Sequence, residues 1–266
     1  MELVDICFNF TSSVFRVDEP QVIERARRAG VWNFIVTGSN VLDSRQALQL
    51  CKKYEGAYAT AGIHPHLANE FTDQSLTELH SIATHEKVVA IGEAGLDYYR
   101  NYSAPAKQKK AFQAQLELAS ELGLPVFLHQ RDAHPDFHDI LARNRDRLGN
   151  VVVHCFTGTA EELDRYIELD CHIGITGWIC DERRGQHLLE LVHRIPANRL
   201  MIETDAPYLL PRNLPAGSTF HKPKGRRNEP SYLPHILQAV AACRMTPRKQ
   251  TAVETTSTAK EFFSID

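Results

Sequence analysis

Val88–Asp97, VVAIGEAGLD, decides how the rest of the chain is read. Val88, Val89, Ala90 and Ile91 form a short apolar run with β-branched residues, which predicts a buried strand. The run stops at Gly92, and the carboxylate of Glu93 follows at once. A carboxylate at the end of a buried strand is costly unless something cationic holds it. Gly92 and Gly95 let the backbone bend sharply and approach a ligand, and Asp97 adds a second acid. Alone, such acids often cap the next helix. The stretch gains meaning only if other strands bring polar groups to the same place.

The same pattern recurs outward in both directions. Short apolar runs rich in Val and Ile predict strands near residues 3–8, 33–37, 58–63, 88–91, 125–128, 151–153, 172–175 and 199–202. Helical patterns alternate with them, the longest over 105–122, and two more close the chain near 230–242 and 247–263. Strands apolar throughout are buried on both faces, as in parallel sheets. Eight strand–helix units in 266 residues match a closed (β/α)₈ TIM barrel, α/β in class. An open doubly wound sheet is the alternative, but the first strand runs into DICFNFTSS, with no glycine-rich phosphate loop. No linker or composition shift divides the chain, so residues 1–266 are read as one domain.

Composition is that of a globular enzyme, with 43% hydrophobic and 24% charged residues. No apolar run approaches the roughly 18 residues of a membrane span. The start, MELVDICFNF, has no basic region and no cleavage site, so no signal peptide is expected. Six cysteines without a regular framework read as reduced thiols, and a cytoplasmic location is expected. The net charge of −3 excludes whole-protein attraction to polyanions, so any nucleic-acid affinity needs local basic patches or bound cations.

In a barrel the C-terminal ends of all strands meet at one rim. There the chain places Asn9, Thr37, His64, Glu93, His129, His154 and Asp205. A mixed histidine and carboxylate set suits a divalent cation: carboxylate and water favour Mg²⁺ or Mn²⁺, and imidazole favours Zn²⁺. Glu93, His129 and His154 would be three ligands, leaving room for water. Asp205 would be a further ligand or the base that deprotonates that water, and His64 would polarise or protonate a substrate oxygen. Each histidine alone could be a core residue bonded to a backbone carbonyl; two ending consecutive strands after Glu93 argue against that. His66 is a candidate substrate contact or surface decoration, and Asp97 orients either loop groups or a metal ligand. Cys155 reads as a buried structural thiol, because neighbours on a strand face opposite sides. The other histidines, His172 among them, read as solvated or half-buried.

A basic run, HKPKGRRNEP (221–230), follows the last strand. Lys222, Lys224, Arg226 and Arg227 could hang over the rim and bind phosphate, or form a solvated loop. Phe10, Tyr98, Tyr99, Trp178 and Tyr208 could stack on bases near the mouth or be plain packing.

With TAGIHPH (60–66), AIGEAGLD (90–97), LPVFLHQRDA (124–133), VVHCFTGT (152–159), IGITGW (173–178), IETDAPYLLPR (202–212) and RRNEP (226–230) in order, the chain resembles the TatD family of metal-dependent deoxyribonucleases over its whole length. The resemblance implies a 3′→5′ exonuclease on single-stranded DNA and RNA, using Mg²⁺ and acting in DNA repair. It implies an amidohydrolase-like barrel with Glu93, His129 and His154 as metal ligands, Asp205 as ligand or acid–base group, and His64 on the substrate phosphate; a monomer is expected. His66, Arg226 and Arg227 join it as expected substrate contacts. Most relatives begin Asp-x-His-x-His, where this chain has Asp5-Ile6-Cys7-Phe8-Asn9. Asn and Cys are a poor pair for a hard cation, which puts a second metal in question. Two rival readings are a hydrolase of small amides, lactones or phosphoesters, and a binding protein without catalysis. The missing strand-one histidines, and no lysine ending a central strand, count against the first. The retained Glu93, His129, His154 and Asp205 count against the second.

Overall fold

The computed structural model describes residues 2–215 and 225–266. Eight parallel strands form one sheet in sequence order: β1 (Leu3–Phe8), β2 (Val31–Val36), β3 (Ala57–Ala61), β4 (Val88–Asp97), β5 (Val126–Arg131), β6 (Val151–Val153), β7 (His172–Ile175) and β8 (Leu200–Ile202). The ends meet just past β8. A parallel bridge joins Phe8 to Ala206, and the Asp205 N–H donates to the Cys7 carbonyl. The (β/α)₈ barrel read from the sequence is the fold.

Helices follow the strands: α1 (Glu19–Arg28), α2 (Val41–Lys53), α3 (Asp73–Ala83), α4 (Pro105–Leu122), α5 (His134–Asn144), α6 (Ala160–Glu168), α7 (Gln186–Leu191) and α8 (Leu233–Cys243), with α9 (Arg248–Phe263) closing the chain. Their starts follow local chemistry. Asn40, Thr72 and Thr159 accept backbone N–H groups of the first turns of α2, α3 and α6, as N-caps do. α7 ends at Leu191, where the chain tightens into a 3₁₀ turn, Val192–Arg194. None of the described helices is long and apolar enough to cross a membrane.

Two cores result. The larger lies between sheet and helices; the smaller takes Val4, Ile35, Val89, Phe127, Val152 and Met201 from six strands. Phe262, Phe263 and Ile265 of the C-terminal segment pack into this smaller core and plug the barrel floor. His172 belongs to this floor: only 6% exposed, it packs its ring 4.8 Å from Phe262. It is therefore buried, contrary to its expected exposure, and burial pushes its pKa down to about 4.

β4 is the longest strand. It runs on from the expected end at Ile91 to Asp97, and all ten residues are buried. The glycines make this possible. A Cβ on Gly92 would collide with the Phe127 carbonyl, and one on Gly95 with the His129 carbonyl. Both have positive φ, which glycine adopts at little cost. β4 therefore lies close against β5 and carries Glu93 and Asp97 into the mouth.

Candidate active site

Three imidazole nitrogens converge on one oxygen. Glu93 Oε1 lies 2.8 Å from His154 Nε2, 3.1 Å from His129 Nδ1 and 3.1 Å from His64 Nε2. Glu93 is 6% exposed. Burial alone would raise its pKa, but the electrostatic pull of the His154 and His64 rings and hydrogen bonds from His129 and His154 hold it well below the carboxylate range. In return, Glu93 and Glu203 hold His154 well above its usual value against burial.

The surrounding hydrogen bonds sort the histidines. His64 Nδ1 accepts the His66 backbone N–H at 3.1 Å, so the neutral ring carries its proton on Nε2. Burial pushes this histidine down to about 4, which keeps it neutral. His129 Nε2 stands 3.3 Å from Asp97 Oδ2, which can hold a proton on that nitrogen and so free Nδ1, here hydrogen-bonded to Glu93, to offer a lone pair to a cation. His154 Nδ1 stands 3.4 Å from Glu203 Oε2, which can likewise hold a proton there and free Nε2, here hydrogen-bonded to Glu93, for a cation. A carboxylate behind an imidazole is the arrangement found behind metal-bound histidines. His64 therefore presents a donor, whereas His129 and His154 can each free a lone pair for a cation.

These two nitrogens are 3.4 Å apart, and with Glu93 Oε1 they form a triangle of edges 2.8, 3.1 and 3.4 Å. Neighbouring ligands at about 2.1 Å from one cation are separated by roughly 3.0–3.4 Å. The residues thus fit a divalent cation. Among the described residues, two triads also place ligand atoms within 4.8 Å of one another: His64–Glu93–His129 and Cys7–His154–Glu203.

Asp97, 1% exposed, serves as the post behind this triangle. Its Oδ2 receives His66 Nε2 at 2.7 Å and His129 Nε2 at 3.3 Å, and its Oδ1 accepts the Arg100 N–H at 2.7 Å. Burial opposes its charge, but these hydrogen bonds hold it below the usual carboxylate range. His66 faces Asp97 and Tyr102, with its side chain 28% exposed.

Asp205 sits apart from the triangle's hydrogen bonds. It has a positive φ of 55°, and its Oδ1 accepts Asn9 Nδ2 at 2.9 Å and the Cys7 thiol at 3.5 Å. Thr37 Oγ1 donates to Asn9 Oδ1 at 3.0 Å, which sets the amide the right way round. No hydrogen bond to Asp205 Oδ2 forms among the described residues. Burial, helped by the negative charges of Glu93 and Glu203, pushes Asp205 up to about 7 against His154 and Asn9.

Three sequence readings need correction. Arg227 is not a free phosphate clamp: its guanidinium is 9% exposed and pairs with Asp18 (2.8 Å) and Glu229. Arg25 joins the same cluster through Glu229 at 2.7 Å. Cys155 is not turned away from the mouth. Its φ of 48° breaks the strand alternation, and it borders the mouth cavity with its thiol 3.7 Å from Thr176 Oγ1. Phe10 is not available for stacking, being 3% exposed and packed 4.5 Å from Phe8. Arg226 is exposed, whereas Lys222 and Lys224 lie outside the described residues.

Two acids went unread as site residues. Glu203 is fully buried behind His154 and accepts the Cys155 N–H. Asp5, also fully buried, accepts the Thr204 N–H at 2.8 Å and the Thr204 hydroxyl, sewing β1 to the chain after β8. The Glu203-Thr204-Asp205 triplet was the available signal, since three consecutive polar residues ending a buried strand each need a partner.

The mouth opens into a cavity of about 440 Å³ bordered by His129, Asp205 and Cys155. A larger one, about 730 Å³, lies along α9 near Glu2, at the floor end and away from this chemistry.

Residues 4–264 match the family described as TatD related DNase. A protein of Edwardsiella piscicida named 3′-5′ ssDNA/RNA exonuclease TatD is 48% identical over 99% of this chain and 100% of its own length. One of the same name from Cronobacter sakazakii is 51% identical over 91% of this chain and 90% of its own. Among solved structures, a TatD homologue from Escherichia coli superposes with a TM-score of 0.90 at 28% identity, covering 99% of this chain and 98% of that one.

Proposed function

The chain belongs to the TatD-related DNase family, and from that membership and the rim geometry we propose that it is a metal-dependent 3′→5′ exonuclease of single-stranded DNA and RNA. The observation that carries the reading is the triangle of Glu93 Oε1, His129 Nδ1 and His154 Nε2. These three atoms would hold one cation. Open positions for water and phosphate suit Mg²⁺; the two imidazoles also accept Mn²⁺ or Zn²⁺. When bound, the cation supplies Lewis acidity towards a phosphate oxygen and acidity to a water.

The chain's own groups do the rest. Glu93, held ionised, anchors the positive charge. Asp97 and Glu203 fix the rings of His129 and His154 from behind. Asp205, raised towards neutrality and steadied through Oδ1 by Asn9, accepts the proton of the attacking water. His64, neutral with its proton on Nε2, donates a hydrogen bond to a phosphate oxygen. Exposed Arg226, with His66 beside Asp97, steadies the flanking strand. A 5′-labelled single strand with Mg²⁺ tests this: the wild type shortens it from the 3′ end and Glu93→Gln does not. No shortening by the wild type, or full activity in Glu93→Gln, contradicts the reading.

A further inference from the structure

The 440 Å³ cavity extends from the metal-competent triangle to one side of the mouth only. His129 and Asp205 form its inner wall; Tyr99, Arg131, Trp178 and Arg184 stand among its outer lining. The loops after β4, β5 and β7 each contribute, so the barrel assembles the cavity from separate units.

Its cations are singular. The Arg131 guanidinium lies 3.8 Å from the centroid of the Tyr99 ring, and that of Arg184 lies 5.8 Å from the centroid of Trp178. Neither arginine forms an ion pair among the described residues. Other arginines do: Arg183 with Asp181, Arg212 with Glu182, Arg227 with Asp18. Of the acids in the lining, Glu162 is engaged in the α6 cap through the Thr159 N–H. Asp132 is exposed, and Asp205 belongs to the reacting end. Two aromatic faces, each with an unpaired guanidinium beside it, suit a ligand that is flat, aromatic and anionic.

Size limits the ligand to one such unit. Small-molecule pockets span roughly 300–1,000 Å³, and 440 Å³ is near the low end, room for one nucleotide. We propose that this cavity is a mononucleotide subsite: it takes the 3′-terminal nucleotide, its base against Trp178 and the Arg131–Tyr99 pair, with Arg184 beside its sugar–phosphate. This rests on the nuclease reading and adds to it why cleavage begins at an end: a continuing strand does not fit where a single unit does. The scissile phosphate then lies towards His129 and Asp205. The water oxygen bonds to phosphorus and the P–O3′ bond breaks. The water's proton goes to Asp205 and on to the leaving O3′. A nucleoside 5′-monophosphate stays in the cavity, and a free 3′-hydroxyl remains on the shortened strand.

The chain has two tryptophans, and Trp32 lies on β2, away from the mouth. In a Trp32→Phe background Trp178 is therefore the only indole reporter. With Mg²⁺ present, titration with deoxyadenosine 5′-monophosphate is expected to quench its emission saturably, and Arg184→Met to weaken that binding about tenfold. A second arm compares single strands ending in a normal or an abasic 3′ residue. The wild type is expected to lose about tenfold in kcat/KM on the abasic end; Trp178→Ala loses a similar factor on the normal end and little more on the abasic one. No saturable quench, unchanged binding in Arg184→Met, or equal wild-type rates on the two ends overturns the subsite. If no strand is shortened at all, the nuclease reading fails, while a saturable quench lost in Arg184→Met still supports a nucleotide pocket.

Discussion

The two sides of the rim bury acids in opposite ways. On the β4–β6 side, Glu93 and Asp97 are surrounded by imidazoles, and both carboxylates stay ionised despite burial. On the β1–β8 side, Asp5 and Asp205 meet amide, hydroxyl, thiol and backbone donors, and burial pushes both up to about 7. Asp205 is half-buried and the other three are buried, but it is the partners that set the two sides apart. An imidazole supplies charge when protonated and a lone pair when it is not, so the first side can anchor a cation. An amide or hydroxyl supplies only a hydrogen, so the second side can exchange a proton near neutrality. One rim thus divides metal holding from acid–base work by the company each carboxylate keeps.

The largest expected effect comes from breaking the first side at its centre. Glu93→Gln keeps the shape and removes the charge; activity should fall by about 10³-fold or more, with metal affinity lost in parallel. Next is Asp97→Asn, which offers His129 an amide in place of a carboxylate. Support of this kind is worth about 10–100-fold in metal affinity, and titrating the variant with Mn²⁺ measures it. Loss of activity at unchanged affinity would show that Asp97 serves the loop rather than the ligand. On the second side, Asn9→Ala removes the 2.9 Å donor to Asp205 and should lower kcat by about tenfold while leaving metal affinity close to the wild type. If affinity falls as far as in Asp97→Asn, the two sides are not separate.

The smallest effect concerns stability. Asp5 holds its proton in the folded state up to about pH 7, whereas its unfolded value is near 4. Between these values the folded state binds more protons, so the contribution of Asp5 to stability is complete below pH 4 and is lost as pH rises to 7. Asp5→Asn mimics the protonated form. Thermal unfolding from pH 4 to 8 should show a shallower decline in the variant than in the wild type; identical slopes would mean Asp5 is ionised when buried.

The first side was legible in the sequence, and the second much less so. Glu93, His129 and His154 each end an apolar run, and a barrel sends such ends to one rim, so their meeting followed from topology. Asn9, Glu203 and Asp5 act through partners far away in the chain: Asp205 lies 196 residues from Asn9, and Thr204 lies 199 from Asp5. No local spacing encodes those pairs. Cys155 was misread because strand alternation holds only while φ stays negative, and here it turns to 48°. Arg227 was misread for a similar reason: a cation in a loop looks free until Asp18, 209 residues earlier, is found beside it. The extension of β4 depended on how closely β5 approaches, which Gly92 and Gly95 allow without announcing it.

Binding of Mn²⁺ to the wild type, Glu93→Gln and Asn9→Ala, followed by the loss of the free-ion paramagnetic resonance signal, tests the division of the rim most directly. One site is predicted in the wild type, retained in Asn9→Ala and lost in Glu93→Gln. Equal binding by all three proteins, or equal loss in the two variants, would contradict it.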